Sequence, residues 1–324
     1  MVAAYEAACN FADIMKREQG WDNTFFDTIA SALGSARAFG LDAQHSAQAL
    51  ALAITPNLAL GQTRLGELSM WKGCAAANAA RNGLFAAMLA RDGLTGPQNT
   101  ISGRWGLQRV LGPFEWAPFG GRGGAFRIEH THLKFYPAVV HAQSPVAAAL
   151  KLHGRIKADD IKAITIDSYW VAKRYTDSER AASLWNPQTR ETADHSLPYL
   201  LSLALTDGGI KSDSFSEARM RDPALKALMN RIRISENKSF TARFPNELVT
   251  RIEITTREGK KLEASAAYPK GHAKNPMTDA DVESKFHMAS EGVLPLARRE
   301  DLLKLVWNLE QAPNLDTLID LARV

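Results

Sequence analysis

The chain has 324 residues, 45% hydrophobic and 23% charged, enough for two ordinary domains and a sizeable buried core. Its net charge of +4 comes from 39 Lys and Arg against 35 Asp and Glu, without any long block of like charge. That balance suits an anionic small molecule and disfavours nucleic acid. No apolar run reaches the roughly 18 residues of a membrane span, so no membrane partner is expected. Cys9 and Cys74 cannot supply a disulfide framework, a thiolate zinc site or an iron–sulfur cluster. The start, Met1-Val2-Ala3-Ala4-Tyr5-Glu6, lacks a signal-peptide pattern, and a cytoplasmic address is expected.

β-Branched residues are unevenly spread. The first hundred positions hold Val2, Ile14, Ile29 and Ile54 and no other valine or isoleucine, while alanine and leucine dominate. Such a composition favours helix and disfavours sheet. Helices are predicted over 2–19, 24–39, 42–55 with Asp42 as N-cap, and 72–91, the last stopped by Gly93 and Pro97. The small residues of Gly73-Cys74-Ala75-Ala76-Ala77 allow helices to approach closely, which predicts an all-helical layer. A glycine-rich stretch, Phe119-Gly120-Gly121-Arg122-Gly123-Gly124, then reads as a hinge or linker, since it lacks the lysine-serine ending of a phosphate-binding loop.

Beyond it the chain changes character. Residues 161–169 alternate with period two and read as a strand, as do 249–255, and Glu258-Gly259 turns the latter back into a strand over 262–266. Helices are predicted over 144–154, 193–206 and 278–290, the last with Thr278 and Asp281 in capping positions. The tail, 298–323, reads as helix again. The fold class is therefore mainly α: a helical domain over 1–118, completed by 290–324, with an α+β domain over 127–288.

Most of the eight histidines lie in that second domain. One phrase runs from His130 to Ser144 and contains His132, Lys134, His141 and Gln143. It suits either a surface turn with one buried histidine or a catalytic segment; its His-x-His pair has no third ligand beside it, so no metal is expected. In Asp194-His195-Ser196-Leu197-Pro198-Tyr199, adjacent residues on a helix diverge, which argues against an Asp194–His195 pair. Tyr199, four residues on, would share a helical face with His195. The phrase Tyr268-Pro269-Lys270-Gly271-His272-Ala273-Lys274 is either a solvated basic loop or a carboxylate-binding one. In the first domain, Arg64 and Lys72 could reach anions from a loop.

Four segments together carry a resemblance. These are Glu67-Leu68-Ser69-Met70-Trp71-Lys72-Gly73-Cys74-Ala75-Ala76-Ala77-Asn78; Lys134-Phe135-Tyr136-Pro137-Ala138 with His141-Ala142-Gln143-Ser144; Thr192-Ala193-Asp194-His195-Ser196; and Tyr268-Pro269-Lys270-Gly271-His272-Ala273. In this order they resemble the MmgE/PrpD family over essentially the whole chain. The resemblance implies a homodimer, a helical domain with an inserted α+β lid, no cofactor, and metal-independent elimination of water from a small polycarboxylate, 2-methylcitrate foremost. It also implies that His141, Lys134, Tyr199 and His195 carry catalysis while Arg64, Lys72, His272, Lys274 and Gln143 bind substrate. Decarboxylase members carry a histidine in the segment matching Ile54-Thr55-Pro56-Asn57-Leu58 and another near Gln143. Neither is present here, which favours the dehydratase branch over cis-aconitate decarboxylation. Residues 1–6 resemble an internal helix of relatives, so the chain is expected to lack a preceding segment with a His-x-Ser-Asp-like motif. The rival reading is accordingly a non-catalytic remnant that binds a polycarboxylate.

The chemical demand is plain. Removing water from such a substrate takes a weakly acidic C–H proton beside a carboxylate while hydroxide leaves, and cations must neutralise the developing charge.

Overall fold

The computed structural model describes residues 1–14, 20–121, 123–177 and 181–324, the side chains of residues 175 and 212 apart. It divides into two units, residues 1–131 and 132–324. Among the described residues no helix is long and apolar enough to cross a membrane.

In the first unit the Ala- and Leu-rich segments form α1 (Val2–Ile14), α2 (Thr24–Ala38), α3 (Ala43–Ile54), α4 (Trp71–Arg91) and the short α5 (Leu107–Leu111). Residues 15–19, the end of the first predicted helix, lie outside the described residues, as does Arg122. Asp42 caps α3 by accepting from the His45 N–H at 2.8 Å, as its position predicts. Phe11, Trp21, Phe25, Phe26, Ile29, Ile54, Leu107 and Leu111 form one buried cluster. Elsewhere the helices meet through Ala32, Ala36, Ala49, Ala53, Ala86, Ala87 and Ala90. Gly83 is the closest point. A Cβ there would lie 2.3 Å from the Thr28 carbonyl oxygen and 2.6 Å from Ser31 Cβ, so α2 and α4 touch at backbone distance. Ser31 Oγ donates to the Ala80 carbonyl at 2.7 Å across the same seam. The small-residue reading is thereby given a geometry.

The glycine-rich stretch is less of a hinge than its composition suggests. The buried Glu6 carboxylate of α1 accepts from the Gly120 N–H at 2.8 Å, inside the stretch, and from the Arg127 N–H at 2.5 Å, three residues beyond it.

Asp22 and Asp27 form an opposed pair of carboxyls. Asp22 is buried and accepts from Thr24 N–H and, through both of its oxygens, from Nε and Nη2 of the Arg64 guanidinium. Burial pushes its carboxyl up, but Arg64 and Thr24 outweigh that and leave it below the usual range. Among the described residues Asp27 has no hydrogen-bonded partner of this kind: burial first, then the Asp22 charge, push it up to about 6, with the Arg64 charge only partly opposing them. A carboxyl whose proton is held more tightly in the folded chain supports stability at acid pH and loses that support as pH rises through its folded value. Asp27→Asn is therefore expected to raise stability above about pH 6, by on the order of 1–2 kcal/mol after solvent screening, and to change little at pH 4. Thermal melts of both proteins across pH 4–8 check this; parallel curves would refute it.

The second unit begins with α6 (Gln143–Leu150), β1 (Ile161–Ser168), α7 (Trp170–Asp177), α8 (Ala181–Trp185), α9 (Arg190–Ala193) and α10 (Leu197–Asp207). Then follow α11 (Glu217–Met220), α12 (Pro223–Met229), β2 (Ile232–Glu236), α13 (Lys238–Thr241), β3 (Thr250–Thr256) and β4 (Lys261–Ala266). The sheet has the order β2-β1-β3-β4, with β1 parallel to β2 and the other pairs antiparallel. Ile164 opposes Ile232 and Ile254, and Ile166 opposes Ile234 and Ile252, so the period-two isoleucines share one buried face. Leu197, Leu200, Leu201 and Leu203 of α10 join the same core, and α6 lies against β3 and β4. Each such side chain, fully buried, contributes roughly 1.5–3 kcal/mol relative to exposure.

Three helices close the chain: α14 (Asp279–Ser290), α15 (Leu296–Val306) and α16 (Asp316–Ala322). Thr278 and Asp281 make the reciprocal capping box that their spacing predicts. The single tail helix expected over 298–323 is interrupted instead, because Pro313 cannot continue it. These last helices group with residues 132–324, whereas 290–324 was expected to complete the first domain.

Candidate active site

The functional side chains of the second unit sit on loops that its sheet and helices hold in place. Tyr169 directly follows β1, His141 lies in the turn before α6, and Phe244 follows α13. His141 Nδ1 and the Tyr169 hydroxyl share a hydrogen bond of 2.8 Å, and Tyr169 stacks on Phe244 with ring centroids 4.6 Å apart. Tyr169 is almost wholly buried, and burial pushes its phenol far up, so it stays protonated. It can donate to the imidazole or accept from it, and either arrangement fixes one tautomer of His141.

The loop carrying His141 is pinned at two points. Val139 N–H donates to the Asp194 carbonyl at 2.9 Å, which brings the Asp194–His195 turn alongside. Gln143 is 2% exposed, and its amide accepts from Tyr136 N–H and donates to the carbonyls of Tyr136 and Ala138. Expected to bind substrate, Gln143 instead holds the 136–138 backbone: both of its amide hydrogens are donated there, and its buried oxygen accepts from Tyr136.

Asp194 and His195 are directly bonded through Asp194 Oδ1 and His195 Nδ1, against the expectation that they diverge. The reason is local. The helix predicted over 193–206 is broken: α9 ends at Ala193, Ser196 caps α10 by accepting from Tyr199 N–H, and His195 sits between the two. The same break removes Tyr199 from the site. It is 0% exposed, and its hydroxyl donates to the Ser214 carbonyl at 2.5 Å, so it belongs to the core.

A second cluster forms where residues 132–134 lie along the 268–275 loop. Leu133 N–H donates to the Gly271 carbonyl at 2.8 Å, and the His132 and His272 rings lie 3.9 Å apart, tilted by 40°. His272 is 4% exposed, its Nδ1 accepts from Lys274 N–H at 3.0 Å, and Tyr268 closes the other side. Lys134 has its ammonium exposed, and its carbonyl accepts from Lys285 Nζ of α14. Burial, reinforced by the Lys134 charge, holds the Lys285 ammonium below its usual range. Two cations side by side in this way invite an anion. Segment 243–247 joins the two clusters, since Phe244 stacks in the first, while Glu247 bonds the Tyr268 hydroxyl and the Asn246 backbone faces His272.

His132 and His272 are both held below the ordinary histidine range by burial, and for His272 the charges of His132 and Lys274 add to it while Glu247 opposes it. The unfolded chain then binds more protons at mildly acid pH than the folded one. Stability should fall as pH drops through and below about 6.5, the ordinary histidine value. His272→Asn keeps an acceptor for the Lys274 N–H but cannot titrate, and should flatten the melting curve between pH 7.5 and 5. An unchanged slope would exclude His272 as its origin.

Of the nine residues singled out from the sequence, seven lie in the second unit. The Val139–Asp194 bond joins the loop of His141 to the turn of His195, and the Leu133–Gly271 bond joins the segment of Lys134 to the loop of His272. Lys274 lies with its ammonium 5.2 Å from the centre of the Tyr268 ring. Arg64 and Lys72 belong to the first unit. Arg64, expected to grip a carboxylate of the substrate, grips that of Asp22. Lys72 is half-buried in the first turn of α4. Among the described residues no three His, Cys, Asp or Glu side chains converge closely enough to hold a metal ion. The sequence reading missed Tyr169, Phe244 and Lys285. Tyr169 had a signal, as an aromatic closing a strand; the other two are defined only by their neighbours.

Comparison with known proteins matches residues 1–117 to the MmgE/PrpD N-terminal domain and residues 136–311 to the MmgE/PrpD C-terminal domain. The chain belongs to the MmgE/PrpD family. This MmgE/PrpD chain is 28% identical to 2-methylcitrate dehydratase of Cupriavidus necator, over 85% of its own length and 58% of that protein. It is 25% identical to human cis-aconitate decarboxylase, over 91% of its length and 61% of the relative. Against 2-methylcitrate dehydratase of Escherichia coli K12 the identity is 25%, over 97% and 68%. The chain thus spans about three-fifths of the length of several curated relatives it matches. By name these relatives are dehydratases and decarboxylases.

Proposed function

We propose that this chain is a hydro-lyase of the 2-methylcitrate dehydratase type, working as a homodimer and removing water from a tricarboxylate by side-chain acid–base chemistry. The observation that carries the reading is the His141–Tyr169 pair and the Asp194–His195 pair on two loops joined by the Val139–Asp194 bond, in a family whose curated members include 2-methylcitrate dehydratases. Two imidazoles, each oriented by a second group, suit a reaction that needs both a base and an acid. One takes the proton from carbon beside a carboxylate, and the other delivers a proton to the departing hydroxyl, which leaves as water. Lys134 and Lys285 are the cations for a substrate carboxylate, where they offset the charge that develops as the C–H bond breaks. Neither Tyr199 nor Gln143 takes part: one is core, the other holds the Tyr136 backbone.

The test is to incubate the purified chain with 2-methylcitrate, citrate and cis-aconitate and to follow the absorbance of the unsaturated acid together with carbon dioxide release. Growth of the unsaturated product from 2-methylcitrate supports the reading. Carbon dioxide release from cis-aconitate, or tight binding of 2-methylcitrate without any product, would overturn it.

A further inference from the structure

A cleft of about 790 Å³ in the second unit is lined by α6, α13, the β3–β4 pair and the 268–275 loop. Its volume lies within the range of small-molecule sites, and its walls are strongly basic. Lys151, Arg243, Arg251, Lys270 and Lys274 all face it, against Glu263 as the acidic residue of the lining. Three of these cations are paired with carboxylates: Arg243 with Glu247, Arg251 with Asp167 and Glu263, and Lys270 with Asp281 at 2.8 Å.

The other two differ. Lys151 Nζ donates to a neutral acceptor, the Ser265 carbonyl at 2.7 Å, and Lys274 Nζ lies over the Tyr268 ring, with Glu247 acting on it through space. Two ammonium groups with no directly bonded carboxylate among the described residues therefore enter one cleft from different elements, the end of α6 and the loop after β4. Tyr136 and Tyr268 add flat aromatic faces between them.

We propose that this cleft is a binding site for a small polyanion carrying two or more phosphate or carboxylate groups, with Lys151 and Lys274 as its principal contacts. The site does not depend on the elimination proposed above, whose residues are His141, His195, Lys134 and Lys285. Its binding should weaken with salt, since partly exposed ammonium groups supply it.

The experiment is calorimetric titration of the full chain with inorganic pyrophosphate and, separately, with propane-1,2,3-tricarboxylate; the tighter of the two tells phosphate from carboxylate preference. At least one should bind in this cleft: pyrophosphate at one site per chain, or propane-1,2,3-tricarboxylate at a site in addition to that of the elimination. Lys151→Met and Lys274→Met should each weaken that binding about fivefold or more. Lys151→Arg should retain it, and His141→Gln should bind as the unaltered chain does. Circular dichroism melts of each variant keep a folding defect apart from a binding defect. The proposal fails if neither probe binds, if both methionine variants bind normally, or if His141→Gln abolishes binding.

Discussion

Replacing His141 by glutamine is expected to slow the proposed elimination by about 10²–10⁴-fold, the usual range for a positioned acid or base. The chain should stay folded, because His141 is only partly buried and glutamine can still bond the Tyr169 hydroxyl. Tyr169→Phe is the companion test. It keeps the ring stacked on Phe244 and removes only the hydroxyl that orients His141. A positioning role predicts a smaller loss of rate together with a displaced pH–rate profile, whereas a purely structural role would lower the melting temperature and leave the profile where it was. Turnover within about twofold of the unaltered chain in His141→Gln would remove His141 from the mechanism.

The second large effect is structural. Gly271→Ala should cost roughly 3 kcal/mol or more, for two reasons that add. Gly271 has φ +84°, a conformation side chains rarely adopt, and a Cβ there would lie 1.8 Å from the Leu133 carbonyl oxygen. In a unit of this size that corresponds to a fall in melting temperature of about 6–12 °C. It should also part His132 from His272 and move Lys134, so turnover would fall with stability. A melting temperature within about 2 °C of the unaltered chain would show that the two segments can separate without cost.

Much of the architecture was readable because it rests on local rules. The scarcity of Val and Ile before residue 100 marks the helical unit, the alternation over 161–169 marks β1, and the caps at Asp42 and Thr278 lie where their spacing puts them. What escaped was short or non-local. β2 is five residues long, and α11 and α13 are four each, too brief for a periodic signal. The site was legible as phrases and not as geometry. A turn of only Asp194 to Ser196 separates two helices, and it converts a pair expected to diverge into a bonded one and a pocket phenol into a core residue. Arg64 meets a carboxylate 42 positions away, a partnership no local pattern announces.

The seam between α2 and α4 has a consequence for how the first unit comes apart. Around Gly83 it is made of small side chains, backbone atoms and one serine hydroxyl, and Arg91 lies over the Phe39 ring only at its far end. Attraction between such surfaces fades within a fraction of an ångström of separation. The two helices should therefore let go all at once instead of loosening by degrees, and amide-exchange protection along α2 and α4 should vanish over one narrow range of denaturant.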